Sequence, residues 1–132
     1  MKRVFCLMTV FVLMSFVACA LEESVVAQPP PDGSYRNWVV GEWRIKQYYQ
    51  GVAYFGTLSI ERERGRFYGR IYYDSLRNWE PLEDVRVTEE TLSFYRPNYG
   101  GQNYRAQRHG NGMSGHWDNP VQGRWEWRAW RD

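Results

Sequence analysis

Few residues in this chain have the type and spacing for covalent or acid–base chemistry. Its two cysteines are Cys6 and Cys19, so no thiol nucleophile lies beyond position 19. Its two histidines are His109 and His116, and a turn falls between them. Strand alternation sends His116 to the face opposite Trp117, and a metal site would need further ligands that the pattern does not place. Glu42, Asp74, Glu80, Asp84 and Asp118 supply carboxylates, but no two are phased as an acid–base pair. Ser114 lacks the strand–turn–helix setting of a nucleophile elbow. The sequence therefore predicts no catalytic residue, no metal and no cofactor, and a protein that is not an enzyme.

What is abundant is aromatic surface: seven Trp, ten Tyr and six Phe. The elements that hold them come from a period-two alternation broken at short intervals by Gly, Asn, Asp or Pro. It predicts eight strands, at 39–49, 52–61, 66–74, 82–87, 91–95, 103–108, 113–117 and 124–131. In the last, Arg124, Glu126 and Arg128 share one face, and Trp125, Trp127 and Ala129 the other. In the first, Glu42, Arg44 and Lys46 oppose Trp43 and Ile45. Leu58 and Ile60, Ile71 and Tyr73, Leu92 and Phe94, Tyr104 and Ala106, and Met113 and Trp117 likewise take the apolar phase. No segment has convincing helical spacing. The expected fold is all-β, a small eight-stranded antiparallel up-and-down barrel whose closure removes sheet edges. Its charged face must lie outside, the reverse of a transmembrane barrel.

Such a meander sorts its links by end. The links at 62–65, 88–90 and 109–112 lie where the first strand starts and are short. The links at 75–81, 96–102 and 118–123 lie at the other end and are longer, and function concentrates on long loops of a rigid scaffold. The same end gathers Tyr49, Tyr54, Tyr73, Trp79, Tyr95, Tyr99 and Trp117, with Arg77, Arg96, Asn98 and Asn119 beside them. Tyr49, Tyr73, Trp79, Tyr95, Arg96, Tyr99 and Trp117 are the candidate binding residues. Rings with polar tips can stack on a sugar or planar ligand, or seat a partner's apolar side chain. The rings could equally fill a small interior and leave a solid core.

Gly41-Glu42-Trp43 at the first strand, with Arg131 at the end of the last, resembles the calycin group of lipocalins, fatty-acid-binding proteins and avidins. In that group a Trp plugs the closed end and a basic residue from the last strand packs across it. The resemblance implies that Gly41, Trp43 and Arg131 form a structural closed end. It also implies a non-enzymatic binding protein, engaging a small molecule or sugar at the aromatic end. The alternative is a protein-interaction module, an inhibitor or accessory subunit docking an envelope protein through the same end.

The N-terminus sets the expected location. Lys2 and Arg3 precede an apolar run, 4–17, and then Ala18, Cys19 and Ala20. That is the layout of a secretory signal, and the run is short for a membrane span. Cleavage after Ala20 or after Ala27 fits small-x-small rules. Phe16-Val17-Ala18-Cys19 resembles a bacterial lipobox, which implies lipidation of Cys19 and anchoring in the cell envelope. Residues 1–20 thus read as signal peptide, 21–38 as a Pro-rich flexible tether, and 39–132 as the barrel domain. With Cys19 the last cysteine, the domain has no disulfide. The formal net charge of +2 resides in Lys2 and Arg3, since acids and bases balance beyond position 20. A neutral surface gives no grip on nucleic acid or an anionic bilayer, so the lipid at Cys19 is the expected membrane contact.

Processing should leave an N-terminus within 19–28. Cys19→Ser should release the protein from the membrane fraction. Undiminished membrane partition with the signal uncut contradicts both cleavage and lipidation.

Overall fold

A computed structural model describes residues 34–132; the segment read as a signal, Cys19 and most of the proposed tether lie outside the described residues. Residues 34–38, also read as tether, belong instead to a 3-10 turn, Ser34–Val39. Val39 is fully buried, and Trp38 packs edge-on against Trp43 at a centroid distance of 6.2 Å. The apolar pair at the end of the turn explains the difference: it buries ring and methyl surface that a free tether would leave in water.

Nine antiparallel strands follow: β1 (Gly41–Tyr49), β2 (Val52–Glu63), β3 (Arg66–Tyr73), β4 (Trp79–Pro81), β5 (Glu83–Val87), β6 (Thr91–Arg96), β7 (Gln102–His109), β8 (Gly112–Asn119) and β9 (Gly123–Trp130). They form one sheet in the order β4-β3-β2-β1-β9-β8-β7-β6-β5. The first and last long strands are neighbours, as a meander demands, with Ile45 opposite Ala129. The expected count of eight is corrected to nine because the chain turns a corner around Leu82. Before it, β4 pairs with β3, Glu80 facing Ile71. After it, β5 pairs with β6. Pro81 lacks a backbone donor and Asp84 is left-handed at φ 50°, so one straight strand cannot run through.

This corner makes the barrel nearly closed. β4 and β5 are the sheet's two edges, and Leu82 N donates to Gly69 O at 2.9 Å where they approach. The gap is filled by side chains. A methyl placed on Gly69 would lie 3.0 Å from Leu82 and 3.4 Å from Val85. Two other glycines permit the tight curvature. A Cβ at Gly56 would fall 2.1 Å from Tyr72 O, and one at Gly115 would fall 1.9 Å from Arg105 O. Only a residue without a side chain lets the backbones come that near.

The apolar phase read from the sequence is the buried face. Trp43, Ile45, Leu58, Ile60, Ile71, Leu92, Phe94, Tyr104, Met113, Trp117 and Trp127 are all buried. Rings fill the middle of the barrel. Phe94 stacks on Tyr104 at 4.7 Å, and Trp127 meets both edge-on at 5.6 and 5.5 Å. At the end where β1 starts, the Arg131 guanidinium lies over the Trp43 indole at 3.7 Å from the centroid. Trp43 Nε1 donates to Val39 O, and Arg131 Nη2 donates to Val40 O, both at 2.8 Å. Gly41, at φ 116°, passes directly beside the guanidinium, which stands 3.8 Å from where its Cβ would be.

Trp43→Ala should cost about 3–5 kcal/mol, the usual range for deleting a buried Trp. Arg131→Ala should cost less, because it removes a half-buried side chain and leaves the buried Trp43 ring in place. Urea unfolding of the two variants gives the ranking, and equal losses would contradict it.

Candidate functional site

At the opposite end the interior opens into a pocket of about 220 Å³. Two loops build its rim. In the β6–β7 link, Tyr99, Gly100 and Gly101 have φ values of 58°, 80° and 83°. Glycine takes this left-handed region freely, but an aromatic residue there is strained and must be held by its surroundings. Asn119 holds it: buried itself, it donates through Nδ2 to Gly101 O at 2.6 Å. Its Oδ1 accepts from the backbone N–H groups of Val121 and Gln122 at 2.7 and 3.0 Å, fixing the second loop. One side chain therefore ties two loops together and presents Tyr99, 55% exposed, above the pocket.

The walls are aromatic. Tyr49, Tyr54, Tyr73, Tyr99 and Trp117 line the space, with Leu76 at its edge. Trp117 is fully buried and donates through Nε1 to Tyr48 O at 3.1 Å. Tyr49 packs against Trp117 and Trp125 at 5.8 and 5.2 Å.

The floor is polar and buried. Arg96 and Glu80 are each 3% exposed and paired. Arg96 donates through Nε at 2.9 Å and Nη2 at 2.5 Å to Glu80 Oε2, and through Nη1 to Gln102 Oε1 at 2.9 Å. Asn98 Nδ2 donates to the other carboxylate oxygen. The guanidinium also lies 4.7 Å from the centroids of both Tyr73 and Tyr99. Gln47 Oε1 accepts from the hydroxyls of Tyr73 and Tyr104, and Tyr104 OH also contacts Gln102 Oε1 at 2.9 Å. A buried ion pair is tolerable on such terms, with every charged atom matched by a partner.

Of the residues proposed from sequence, Tyr49, Tyr73, Arg96, Tyr99 and Trp117 meet at this pocket, and Trp79 and Tyr95 do not. Both corrections follow from strand alternation. Glu80 takes the inward position of β4, so Trp79 turns out, where it packs on Tyr72 at 5.4 Å and under Arg70 at 4.5 Å. Tyr95 sits between inward Phe94 and inward Arg96, and its ring packs outside against Gly101. Glu80, Gln47 and Gln102 are the site residues that the sequence reading missed. Gln47 and Gln102 share the inward phase of Ile45 and Tyr104, and a polar residue in that phase was the available signal.

A wider concavity of about 1340 Å³ runs over the outer faces of β5 to β9. It holds His109, His116, Asp84 and Asp118 among cations and anions in alternation, which is a solvated mixed-charge surface. Among the described residues no group of three or more His, Cys, Asp or Glu is placed to hold a metal ion.

Burial raises the Tyr104 hydroxyl to about pKa 12, and burial also pushes Tyr73 well above its usual value. In the unfolded chain both ionise near 10. The unfolded state then releases protons that the folded state retains, so stability is full below pH 10 and falls as pH rises toward 12. Tyr104→Phe should flatten this alkaline loss. Tyrosinate absorbance should rise for the buried pair together with the unfolding transition, and early ionisation without unfolding would contradict the burial argument.

No protein-family model matches the chain, and no curated protein matches it either.

Proposed function

We propose that this chain is a non-enzymatic binding protein of the bacterial cell envelope, a calycin-like barrel that takes a small molecule or sugar at its aromatic mouth. Export rests on the signal-like N-terminus, and retention at the membrane on lipidation of Cys19. The observation that carries the binding reading is the pocket itself. Five aromatic residues and one buried cation converge on a concave space, set in a barrel otherwise filled with side chains. Concave sites with apolar walls and a few placed polar groups are the usual form of a small-ligand site. The strained backbone at Tyr99 supports the same location, since strain is retained where a side chain must be presented in one position.

A second reading uses the same end as a docking surface for an envelope protein. What favours it is the rim, where Tyr99, Leu76 and Val121 are 55%, 39% and 93% exposed. Tyr and apolar side chains at a rim suit a partner's side chain as well as a ring.

Three variants separate the roles. Tyr99→Ala should weaken engagement of the ligand or partner while changing stability by about 1 kcal/mol or less, as expected of an exposed residue. Trp117→Ala should impair both, because its ring is core as well as wall, with a stability loss of about 3–5 kcal/mol. Trp79→Ala, outside the pocket, should leave binding unchanged. Thermal melts with binding assays on the three test this. A Tyr99→Ala loss of stability as large as that of Trp117→Ala would assign Tyr99 to the core and remove the mouth as a site.

A further inference from the structure

We infer that the mouth pocket takes an uncharged ring, with one apolar face and hydrogen-bond acceptors along its edge. A neutral pyranose and a neutral planar heterocycle both meet this description. The inference rests on the reading of the pocket as a ligand site and goes further by fixing the ligand's charge, size and polarity.

Charge comes first. Among the described residues Arg96 is the only cation lining the pocket, and on its own it would mark a site for a carboxylate or phosphate. It is not on its own. Glu80 holds Nε and Nη2, Gln102 holds Nη1, and Asn98 occupies the second oxygen of Glu80. The pair is internally neutral and its strongest hydrogen-bonding directions are taken. An anion brought to Arg96 would meet the Glu80 carboxylate on the same guanidinium. A cation would find its natural partner already bound. Either would give up hydration at the buried floor formed by Arg96, Glu80, Gln47 and Gln102, carrying a charge that nothing there offsets.

Polarity comes from two amides. Gln47 is 6% exposed and lines the pocket. Its Oε1 is engaged by two phenols, and its Nε2 donates to no described residue. Gln122 accepts from Gln102 through Oε1 at 3.2 Å and likewise leaves its Nε2 without an acceptor among the described residues. Gln47, buried, and Gln122, half-buried, both line the pocket with donors to spare, which call for acceptors on the ligand. The Tyr49, Tyr54 and Trp117 rings supply flat apolar walls for its face.

Size follows from the volume. The pocket measures about 220 Å³. That is below the roughly 300 Å³ at which drug-sized sites begin, and it admits one substituted ring.

The test titrates the purified full chain with matched probes at millimolar concentration: methyl glucoside, glucuronate and glucosamine, and uracil and orotate. The readout is the NMR shift of the Gln47 side-chain amide and the Trp117 indole N–H. A neutral probe should move both signals, and its charged counterparts should bind at least about tenfold more weakly. Which neutral probe does so separates sugar from heterocycle. A charged probe that binds there as tightly as its neutral counterpart overturns the inference but leaves the ligand site standing. If no probe moves either signal, the ligand site falls as well. Glu80→Gln keeps the shape and exposes the Arg96 charge, so it should swing preference toward glucuronate or orotate by about tenfold or more. An unchanged preference in the folded variant overturns the charge argument. Should that variant fail to fold, the probe series on the unaltered chain decides the question.

Discussion

Phe94 stacks on Tyr104, and Trp117 and Trp127 close around the pair. Rings of this size cross most of the inner width of a barrel this small, and the rest of the molecule is arranged around that fact. Without cysteines in its strands, the domain relies on burying apolar surface for its stability. The rings do most of that burying in the central layer. They also decide where a ligand could go. A filled middle leaves no room for the long enclosed cavity of a larger barrel, so open space survives only where the strands end and the loops begin.

The polar floor follows from the same packing. Tyr104 is part of the ring stack on one side, and on the other its hydroxyl, with a single proton to donate, lies between the Gln47 and Gln102 amide oxygens. Gln102 passes the connection to Arg96, and Arg96 to Glu80. Each member satisfies the next, which is what makes a network of amides, phenols and one ion pair tolerable at this depth. The pocket is therefore not a hole left by imperfect packing. It is bounded below by groups that hold each other in fixed positions, and above by loops pinned to Asn119.

Much of this was legible in the sequence, because period-two alternation carries both strand and face. The inward phase of Trp43, Leu58, Phe94, Tyr104, Trp117 and Trp127 came directly from it, as did the neighbouring of the first and last strands. The gathering of Tyr49, Tyr73, Arg96, Tyr99 and Trp117 at one end came from counting links. The corner at Leu82 was not legible. A three-residue strand such as β4 is too short to display a period, and the pairing that defines it is made with β3, far along the chain. Missing β4 also hid the inward turn of Glu80 and the outward turn of Trp79. The ion pair was beyond reach for the same reason, since it joins residues whose proximity depends on that corner.

The corner gives the ion pair a second consequence. β4 is hydrogen-bonded to β3 on one side of the incomplete closure, while β6 belongs to the other side through β5. Glu80 and Arg96 therefore reach across the seam as a latch between two edges that share little backbone pairing. Opening there breaks few ladder bonds, which makes the seam the natural place for low-energy local unfolding and early amide exchange. The latch sits in the floor of the pocket. A molecule that filled the pocket and contacted both sides would slow that opening, and its occupancy would then be coupled to the breathing of the barrel wall through one pair of side chains.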